Sequence, residues 1–246
     1  MIRLYLSEPT PVFAADLAIA LNSDQSRYLM SVMRRQVGDE VSVFNGRDGE
    51  WLGVIHEAGK KHVVLRLVVQ TRPQGKALGP TLAVALIKRT PLEYIVEKAT
   101  ELGAARIQLL ITRRSNADHT KVERLKLIAQ EAAEQTERLD VPDILAPIRL
   151  DAFLSAPGCD AILFGDEETT HEAERVTRPL HKVLSTLTGS AAILIGPEGG
   201  FDDTERQTLR ARADVHPVNL GPRILRADTA AIAALTLYQS VCGDWR

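Results

Sequence analysis

The sequence contains few of the side chains that build disulfides and metal sites. Its two cysteines among 246 residues, Cys159 and Cys242, lie far apart and form no Cys-x-x-Cys pair. We therefore expect plain thiols rather than a disulfide framework or a structural zinc site. None of the six histidines is in a His-x-x-x-His pair, and isolated histidines are more often ordinary surface or core residues than ligands. The sequence predicts no metal.

Long hydrophobic runs are also absent. No apolar run approaches the ~20 residues of a membrane-spanning helix. The start of the chain, Met1–Tyr5, lacks the long apolar segment of a secretory signal. We therefore expect no association with a membrane and a cytoplasmic location.

Three common ligand-binding patterns do not occur. The chain has no Gly-x-Gly-x-x-Gly, no Gly-x-x-x-x-Gly-Lys-[Ser/Thr] and no Gly-x-Ser-x-Gly. A dinucleotide-binding dehydrogenase, a P-loop nucleoside triphosphatase and an α/β-hydrolase therefore lose support.

An excess of positive charge is missing as well. Hydrophobic residues make up 45% and charged residues 25%, an ordinary globular balance, and the net charge is -2. Residues 1–72 sum to +1 and the rest to -3. A nucleic-acid enzyme is expected to show a basic footprint, so electrostatics alone modestly disfavours RNA binding. Any RNA-binding surface must be local.

The first seventy-odd residues are typical of a small β-rich domain. Three segments rich in β-branched residues, separated by glycine-containing turns, predict strands: Val41–Phe44, Glu50–His56 and His62–Val69. They predict a meander or a small barrel. Before them, Ser23 is the predicted cap of a helix that carries Leu29, Val32 and Met33 on one side and ends near Arg34-Arg35.

A polar segment, Thr71–Lys76, predicts a linker, and the periodicity changes after it. We therefore predict two domains, residues 1–72 and 73–246. In the second domain strands alternate with helices, which predicts a parallel α/β sheet. The predicted strands are Thr81–Ile87, Ile107–Ile111, Ala161–Phe164, Ala191–Ile195 and Val215–Leu220, and the predicted helices are one capped by Thr90 and stopped by Gly103, Lys121–Leu139 and Ala230–Val241.

Two glycine- and proline-containing segments, Gly196–Phe201 and Leu220–Ala230, each follow a predicted strand and open a predicted helix. Open α/β folds bind their ligands at the carboxyl ends of strands, and glycine lets a ligand approach the backbone closely. The alternative is that each Gly-Pro pair only marks a sharp turn. Two such segments in tandem favour ligand loops.

The same two segments carry a family resemblance. Gly-Pro-Glu-Gly-Gly-Phe at 196–201, Leu-Gly-Pro-Arg-Ile-Leu-Arg at 220–226 and Thr229-Ala230 resemble the signature of the bacterial small-subunit ribosomal RNA uracil-N3 methyltransferases of the SPOUT class. Upstream segments extend the resemblance over nearly the whole chain: Arg34 shortly before Gly38-Asp39, Glu97–Gly103, Arg114-Ser115 and Glu131–Gln135. Asp228 stands where the family usually has glutamate, which keeps the carboxylate and shortens its reach.

The resemblance implies a fold and a function. It implies a SPOUT-type parallel sheet with a C-terminal trefoil knot, preceded by a PUA-like β-barrel that binds RNA, and a homodimer. It also implies S-adenosylmethionine as cofactor and, as product, N3-methylation of a specific uridine in 16S ribosomal RNA, within the small ribosomal subunit. Two alternatives stay open: a SPOUT methyltransferase for another RNA, and a non-catalytic RNA-binding assembly factor.

The resemblance also implies cofactor-binding and catalytic residues. The cofactor would be held by main-chain groups and an apolar wall from Leu194, Gly196, Pro197, Gly199, Gly200, Leu220, Gly221, Ile224, Leu225 and Thr229. From the chemistry of the reaction, we hypothesise that Arg226 stabilises N3 of the uracil as it becomes anionic or fixes the base in position. The general base is Glu198 or Asp228, and the alternative for Glu198 is a helix N-terminal cap.

The residues that the sequence offers for RNA binding are mostly arginines. Arg113-Arg114 follow a predicted strand and could clamp a phosphate, with a solvated pair as the equal alternative. Glu131, Gln135 and Arg138 form a stripe on the predicted long helix, which is either cleft-lining or a solvated flank. Arg34, Arg35 and Lys88 complete the set.

Overall fold

The computed structural model describes residues 1–59, 61–75, 79–115, 120–167 and 177–245. Of the predicted linker, Lys76 lies outside these residues, and so does Lys60 in a predicted turn. The chain divides into two compact units, Met1–Lys76 with Ala133–Val141, and Ala77–Ala132 with Pro142–Arg246. No helix among the described residues is long and apolar enough to cross a membrane.

The N-terminal unit is built on a five-stranded sheet of order β1-β3-β4-β5-β2. Its strands are β1 Arg3–Tyr5, β2 Ala18–Ala20, β3 Glu40–Phe44, β4 Glu50–Gly59 and β5 His62–Arg72. β1 runs parallel to β3 and the other pairs are antiparallel. Alternate residues of the strands are buried in one apolar core, as half-buried sheets require. The three predicted strands are confirmed, while the short strands β1 and β2 were not predicted.

The predicted first helix is wrong in its cap and in its face. α1 covers Ser23–Arg27, and its cap is Asn22, whose side chain accepts from the backbone amides of Asp24 and Gln25. A π-helical turn, Tyr28–Val32, follows. This wider turn breaks the period on which the predicted face depends: Leu29 is fully buried, but Val32 and Met33 are exposed.

The C-terminal unit contains a seven-stranded sheet of order β10-β12-β9-β11-β6-β7-β8. All of its strand pairs are parallel, as predicted. The strands are β6 Thr81–Ala85, β7 Arg106–Ile111, β8 Asp143–Arg149, β9 Ala161–Gly165, β10 Arg178–Pro179, β11 Ala191–Ile195 and β12 Val215–Asn219. β11 is buried at every position, which is typical of a strand covered on both faces.

Among the described residues, six α-helices follow α1. They are α2 Arg89–Glu101, α3 Val122–Gln135, α4 Leu150–Ser155, α5 Leu180–Leu184, α6 Asp203–Ala211 and α7 Ala227–Val241. The predicted cap of α2 is wrong, because the helix starts at Arg89 with Lys88 in the cap position. Pro91 is therefore the third helical residue, where its missing N–H is one of the donors that lack an intrahelical partner in any case. β8, β10, α4 and α5 were not predicted.

The predicted long helix is also too long. α3 ends at Gln135 rather than Leu139, because Glu137 adopts a left-handed conformation, φ 60°, and the Arg138 amide donates to the carbonyl of Ala133. This is a Schellman-type end, and glycine, its usual sequence signal, is absent there. Residues 133–141 belong to the N-terminal unit, and within that unit the Arg3 guanidinium donates to the carbonyls of Ala133, Glu134 and Arg138.

Candidate active site

A cavity of about 490 Å³ opens among three segments of the C-terminal unit. They are residues 164–167 at the end of β9, residues 195–201 after β11 and residues 218–227 after β12, with Arg206 and Ala230 completing the lining. Its volume is in the range of small-molecule sites, roughly 300–1,000 Å³.

The order of strands explains why these segments meet. β9 pairs with β11 on one side and with β12 on the other, and all three run parallel. Their carboxyl ends therefore reach the same edge of the sheet, where open α/β folds bind ligands. The two glycine-containing segments share this edge with a third, residues 164–167, that the sequence analysis did not identify.

The first glycine-containing segment packs on an aromatic ring. A Cβ at Gly196 would lie 2.7 Å from the ring of Phe201, closer than side-chain carbons approach one another. Phe201 is buried and meets Phe164 edge to face, with ring centroids 5.2 Å apart. Glycine at 196 thus makes room for a ring that closes one wall of the cavity.

The second glycine-containing segment needs a special backbone angle. Gly221 has φ 113°, which side-chain-bearing residues rarely adopt, and no atom lies within 4 Å of the Cβ position. Conformation rather than crowding therefore demands glycine here. The exposed side chain of Ile224 and the half-buried side chain of Leu225 also line the cavity.

Arg226 and Asp228 lie next to each other at the start of α7, the helix that follows β12. Arg226 caps α7, and Nη2 of its guanidinium lies 3.2 Å from Oδ2 of Asp228. The other carboxylate oxygen accepts from the backbone amide of Thr229 at 2.7 Å. The Arg226 side chain is 80% exposed and lines the cavity, whereas Asp228 is mostly buried. The geometry makes Asp228 an anchor for Arg226.

Most residues predicted to hold the cofactor or act in catalysis lie around this cavity. Those that line it are Gly196, Pro197, Glu198, Gly200, Leu220, Gly221, Ile224, Leu225 and Arg226. Leu194, Gly199, Asp228 and Thr229 lie outside the lining. The Leu194 side chain is fully buried in β11.

The cavity also has lining residues that sequence reasoning missed. Asp166 and Glu167 follow β9, and Arg206 comes from α6. Asp166 accepts hydrogen bonds from Arg206 and from Arg210. Two acidic residues directly after an apolar strand are a usable signal, but the 40-residue separation of Asp166 from Arg206 is not visible in local periodicity.

The arginines after β7 contact the region of the first glycine-containing segment. Nη1 of Arg114 donates to the carbonyl oxygen of Gly199 at 2.8 Å. Nε of Arg113 lies 3.1 Å from Oδ2 of Asp202, the cap of α6.

Two further residues predicted to bind RNA belong to helices of the C-terminal unit. Lys88 is the exposed cap residue of α2. Glu131 is exposed on α3.

Four residues predicted to bind RNA belong to the N-terminal unit. Arg34 is exposed with φ 51°, and Arg35 lies 3.8 Å from Asp39. Gln135 is the last residue of α3. Arg138 lies beyond the helix, so the predicted stripe does not form, and its guanidinium instead binds Asp140 at 3.1 Å.

Comparison with known proteins places the chain in a family. A model of the RNA methyltransferase domain matches residues 76–239, and a model of the RNA methyltransferase PUA domain matches residues 21–68. The chain belongs to the RNA methyltransferase family. The first match covers the cavity, and the second covers most of the five-stranded sheet.

Individual relatives of this RNA methyltransferase family agree over nearly the full length. The ribosomal RNA small subunit methyltransferase E of Rickettsia conorii is 36% identical over 235 residues, 95% of this chain and 93% of that protein. A methyltransferase structure from Legionella pneumophila, solved with bound cofactor SAM, is 29% identical with a TM-score of 0.79 over 97% of both chains. Ribosomal RNA small subunit methyltransferase E from Neisseria gonorrhoeae shares the fold, with a TM-score of 0.83 at 23% identity over 100% of both chains.

Proposed function

We propose that this protein transfers a methyl group from S-adenosylmethionine to N3 of a specific uridine in 16S ribosomal RNA of the small subunit. The observation that carries the proposal is the cavity itself: both glycine-containing segments converge on it in a chain of the RNA methyltransferase family. The names of the Rickettsia relative and the SAM-bound Legionella structure support the substrate class and the cofactor.

The lining suits S-adenosylmethionine chemically. The main chain of residues 195–198 and 218–224 offers N–H and C=O groups for an adenine edge, and Phe164, Ile195 and Leu225 add apolar surface. The exposed carboxylates of Glu167 and Glu198 can accept from hydroxyl or ammonium groups. The cofactor supplies a methyl group on a sulfonium, which is a strong leaving group.

The protein's own task is to place the uracil and to stabilise N3 as it becomes anionic. Arg226 suits this role because its exposed guanidinium reaches the cavity and is held by Asp228. With one oxygen of Asp228 taken by Arg226 and the other by Thr229, Glu198 is the better placed of the two predicted bases. The uridine must leave its helix for the cavity to receive it.

The RNA would be bound by residues of both units. Exposed Arg34 and half-buried Arg35 offer cationic contacts on the N-terminal unit, and the PUA-domain match over residues 21–68 supports such a role. Lys88, Arg113 and Glu131 are exposed on the C-terminal unit. Because net charge is -2, the cationic members of this set, Arg34, Arg35, Lys88 and Arg113, would carry the electrostatic part of binding. Glu131 could only accept hydrogen bonds from the RNA.

The SPOUT resemblance further supports a C-terminal trefoil knot and a homodimer. β12, the last strand of the chain in sequence order, lies between β9 and β10, an order that is compatible with a threaded C-terminal segment. The proposed knot would be contradicted by an experimental chain trace in which residues 220–227 do not pass through a loop of the chain. A mass of 27.0 kDa by light scattering, rather than twice that value, would show a monomer and contradict the proposed homodimer.

Labelled methyl transfer tests the function directly. Small subunits and naked 16S RNA from a strain lacking this gene are incubated with labelled S-adenosylmethionine, and the nucleosides are identified by mass spectrometry. N3-methyluridine is the expected product. Methylation only of another RNA would favour a different SPOUT substrate, and cofactor-independent RNA binding without any transfer would favour an assembly factor.

A further inference from the structure

The carboxylate of Asp166 lies almost wholly buried at the end of β9, with its side chain 1% exposed. Its Oδ1 accepts from Nη1 of Arg206 at 3.0 Å, and its Oδ2 accepts from Nε and Nη2 of Arg210 at 2.8 and 2.6 Å. Both arginines belong to α6 and are themselves mostly buried. We call these three residues the Asp166 junction.

The Asp166 junction reaches all three segments of the cavity. Asp166 lies in the first segment, beside Glu167. Its backbone amide donates to the carbonyl of Val218 at 3.0 Å, at the start of the third segment. Nη2 of Arg206 donates to the carbonyl of Phe201 at 3.3 Å, in the second segment. The carboxylate of Asp166 therefore connects the first segment to the second through Arg206, while its backbone amide connects the first segment to the third.

The chemistry of the junction makes it sensitive to loss of charge. Hydrogen bonds between ionised groups are the strongest in proteins, and their strength rises where water is excluded. An amide in place of the carboxylate would leave two guanidiniums facing a neutral group in a nearly dry site. The first and second segments would then lose the anchor that Arg206 provides between them, while the backbone bond to Val218 would remain.

We propose that Asp166 is a positioning residue, whose carboxylate acts through Arg206 and Arg210 to hold the first and second segments in their cofactor-binding arrangement. This rests on the proposed function, since the ligand is taken to be S-adenosylmethionine. Arg210 does not line the cavity and donates to Asp166, so Arg210→Gln changes the junction without changing the cavity lining.

The variants that test this are Asp166→Asn, Arg210→Gln and, as control, Asp214→Asn. Asp214 accepts two hydrogen bonds from Arg212 after the same helix but lies outside the cavity. We expect the dissociation constant for S-adenosylmethionine, by calorimetry, to rise about tenfold in Asp166→Asn and about threefold in Arg210→Gln, with Asp214→Asn unchanged. KM for the cofactor should rise in proportion while kcat changes less than about twofold.

A second readout needs no ligand. In Asp166→Asn, backbone amides of residues 196–201 should exchange hydrogen faster than in the wild type, while β7 keeps its protection. Unchanged exchange and unchanged cofactor affinity in the folded variants would overturn the inference, and so would an equal loss in Asp214→Asn. If the wild type itself bound no S-adenosylmethionine, the proposed function would fall, and hydrogen exchange would still decide whether the junction holds the segments.

Discussion

Nη1 of Arg114 donates a 2.8 Å hydrogen bond to the carbonyl oxygen of Gly199, which joins the end of β7 to the segment after β11. A Cβ at Gly199 would lie 3.5 Å from Cδ of Arg114, so the carbon chain of Arg114 also runs beside this glycine. An arginine predicted as a phosphate clamp therefore supports the backbone of a cavity segment. To contact an RNA phosphate, the Arg114 guanidinium must either use N–H groups that are not in this bond or give up the bond to Gly199.

Arg114→Ala should weaken cofactor binding. A hydrogen bond of this kind contributes about 0.5–1.5 kcal/mol net, so the dissociation constant for S-adenosylmethionine should rise roughly two- to tenfold. Calorimetry on the purified variant measures it. Arg149→Ala is the control, because Arg149 is an exposed arginine of the same unit paired with Asp151. Weaker RNA binding with normal cofactor affinity would instead favour the phosphate-clamp role.

Gly196→Ala should destabilise the cavity wall. Its new methyl group would lie 2.7 Å from the Phe201 ring, and such overpacking costs about 1–3 kcal/mol. Urea unfolding measures the loss. Phe201→Leu in the same chain removes the ring and should restore part of the stability of Gly196→Ala. Without that rescue, contact with the ring is not the reason for glycine at this position.

The sequence predicted elements whose signals are local. β11 and β12 were found because short apolar runs end at glycine-containing segments, and the shared edge follows from the parallel order of the sheet. The end of α3 was missed because Glu137, not glycine, takes the left-handed conformation. The face of the first helix was missed because a π-helical turn interrupts the period.

Part of the candidate site could also be predicted from local signals, while its long-range contacts could not. Motif residues such as Gly221 and Arg226 could be assigned from their segments. Asp166 could not, because its partners lie 40 and 44 positions away and are chosen by tertiary packing. Long-range ion pairs leave no periodic trace in a single sequence.

Glu50 of the N-terminal unit should make the stability of the folded protein depend on pH. Burial by itself would raise the pKa of this carboxyl, but hydrogen bonds from Arg72 and Arg3 outweigh burial and lower the pKa from 4.5 to about 2. A pKa lowered by folding stabilises the protein above the unfolded value, and this contribution is lost as pH falls from about 4.5 to about 2.

Glu50→Gln should therefore lower the free energy of unfolding at pH 7 by up to about 3 kcal/mol, and the gap from the wild type should shrink at pH 3. Urea unfolding at pH 7, 4.5 and 3 measures both proteins. Glu40→Gln changes an exposed carboxylate of β3 and serves as control. A gap of constant size across this range would mean that the charge of Glu50 is not what stabilises the unit.

Arg226→Ala should abolish most of the methyl transfer while leaving the cofactor bound. An exposed guanidinium that stabilises charge in the transition state contributes on the order of 10²–10³ in kcat. Single-turnover transfer to the RNA at saturating S-adenosylmethionine measures this step. Asp228→Ala should cause a smaller loss, because it removes the anchor of Arg226 and keeps the cation.

Arg212→Ala provides the matched control for Arg226→Ala. Arg212 likewise pairs with an aspartate two positions later, Asp214, but lies away from the cavity. Its loss should leave turnover unchanged within about twofold if pairing alone has no catalytic effect. Equal losses in the two variants, or a loss in Arg226→Ala confined to KM for RNA, would show that Arg226 holds substrate in the ground state. In that case the charge that develops on N3 must be stabilised by another group of the cavity.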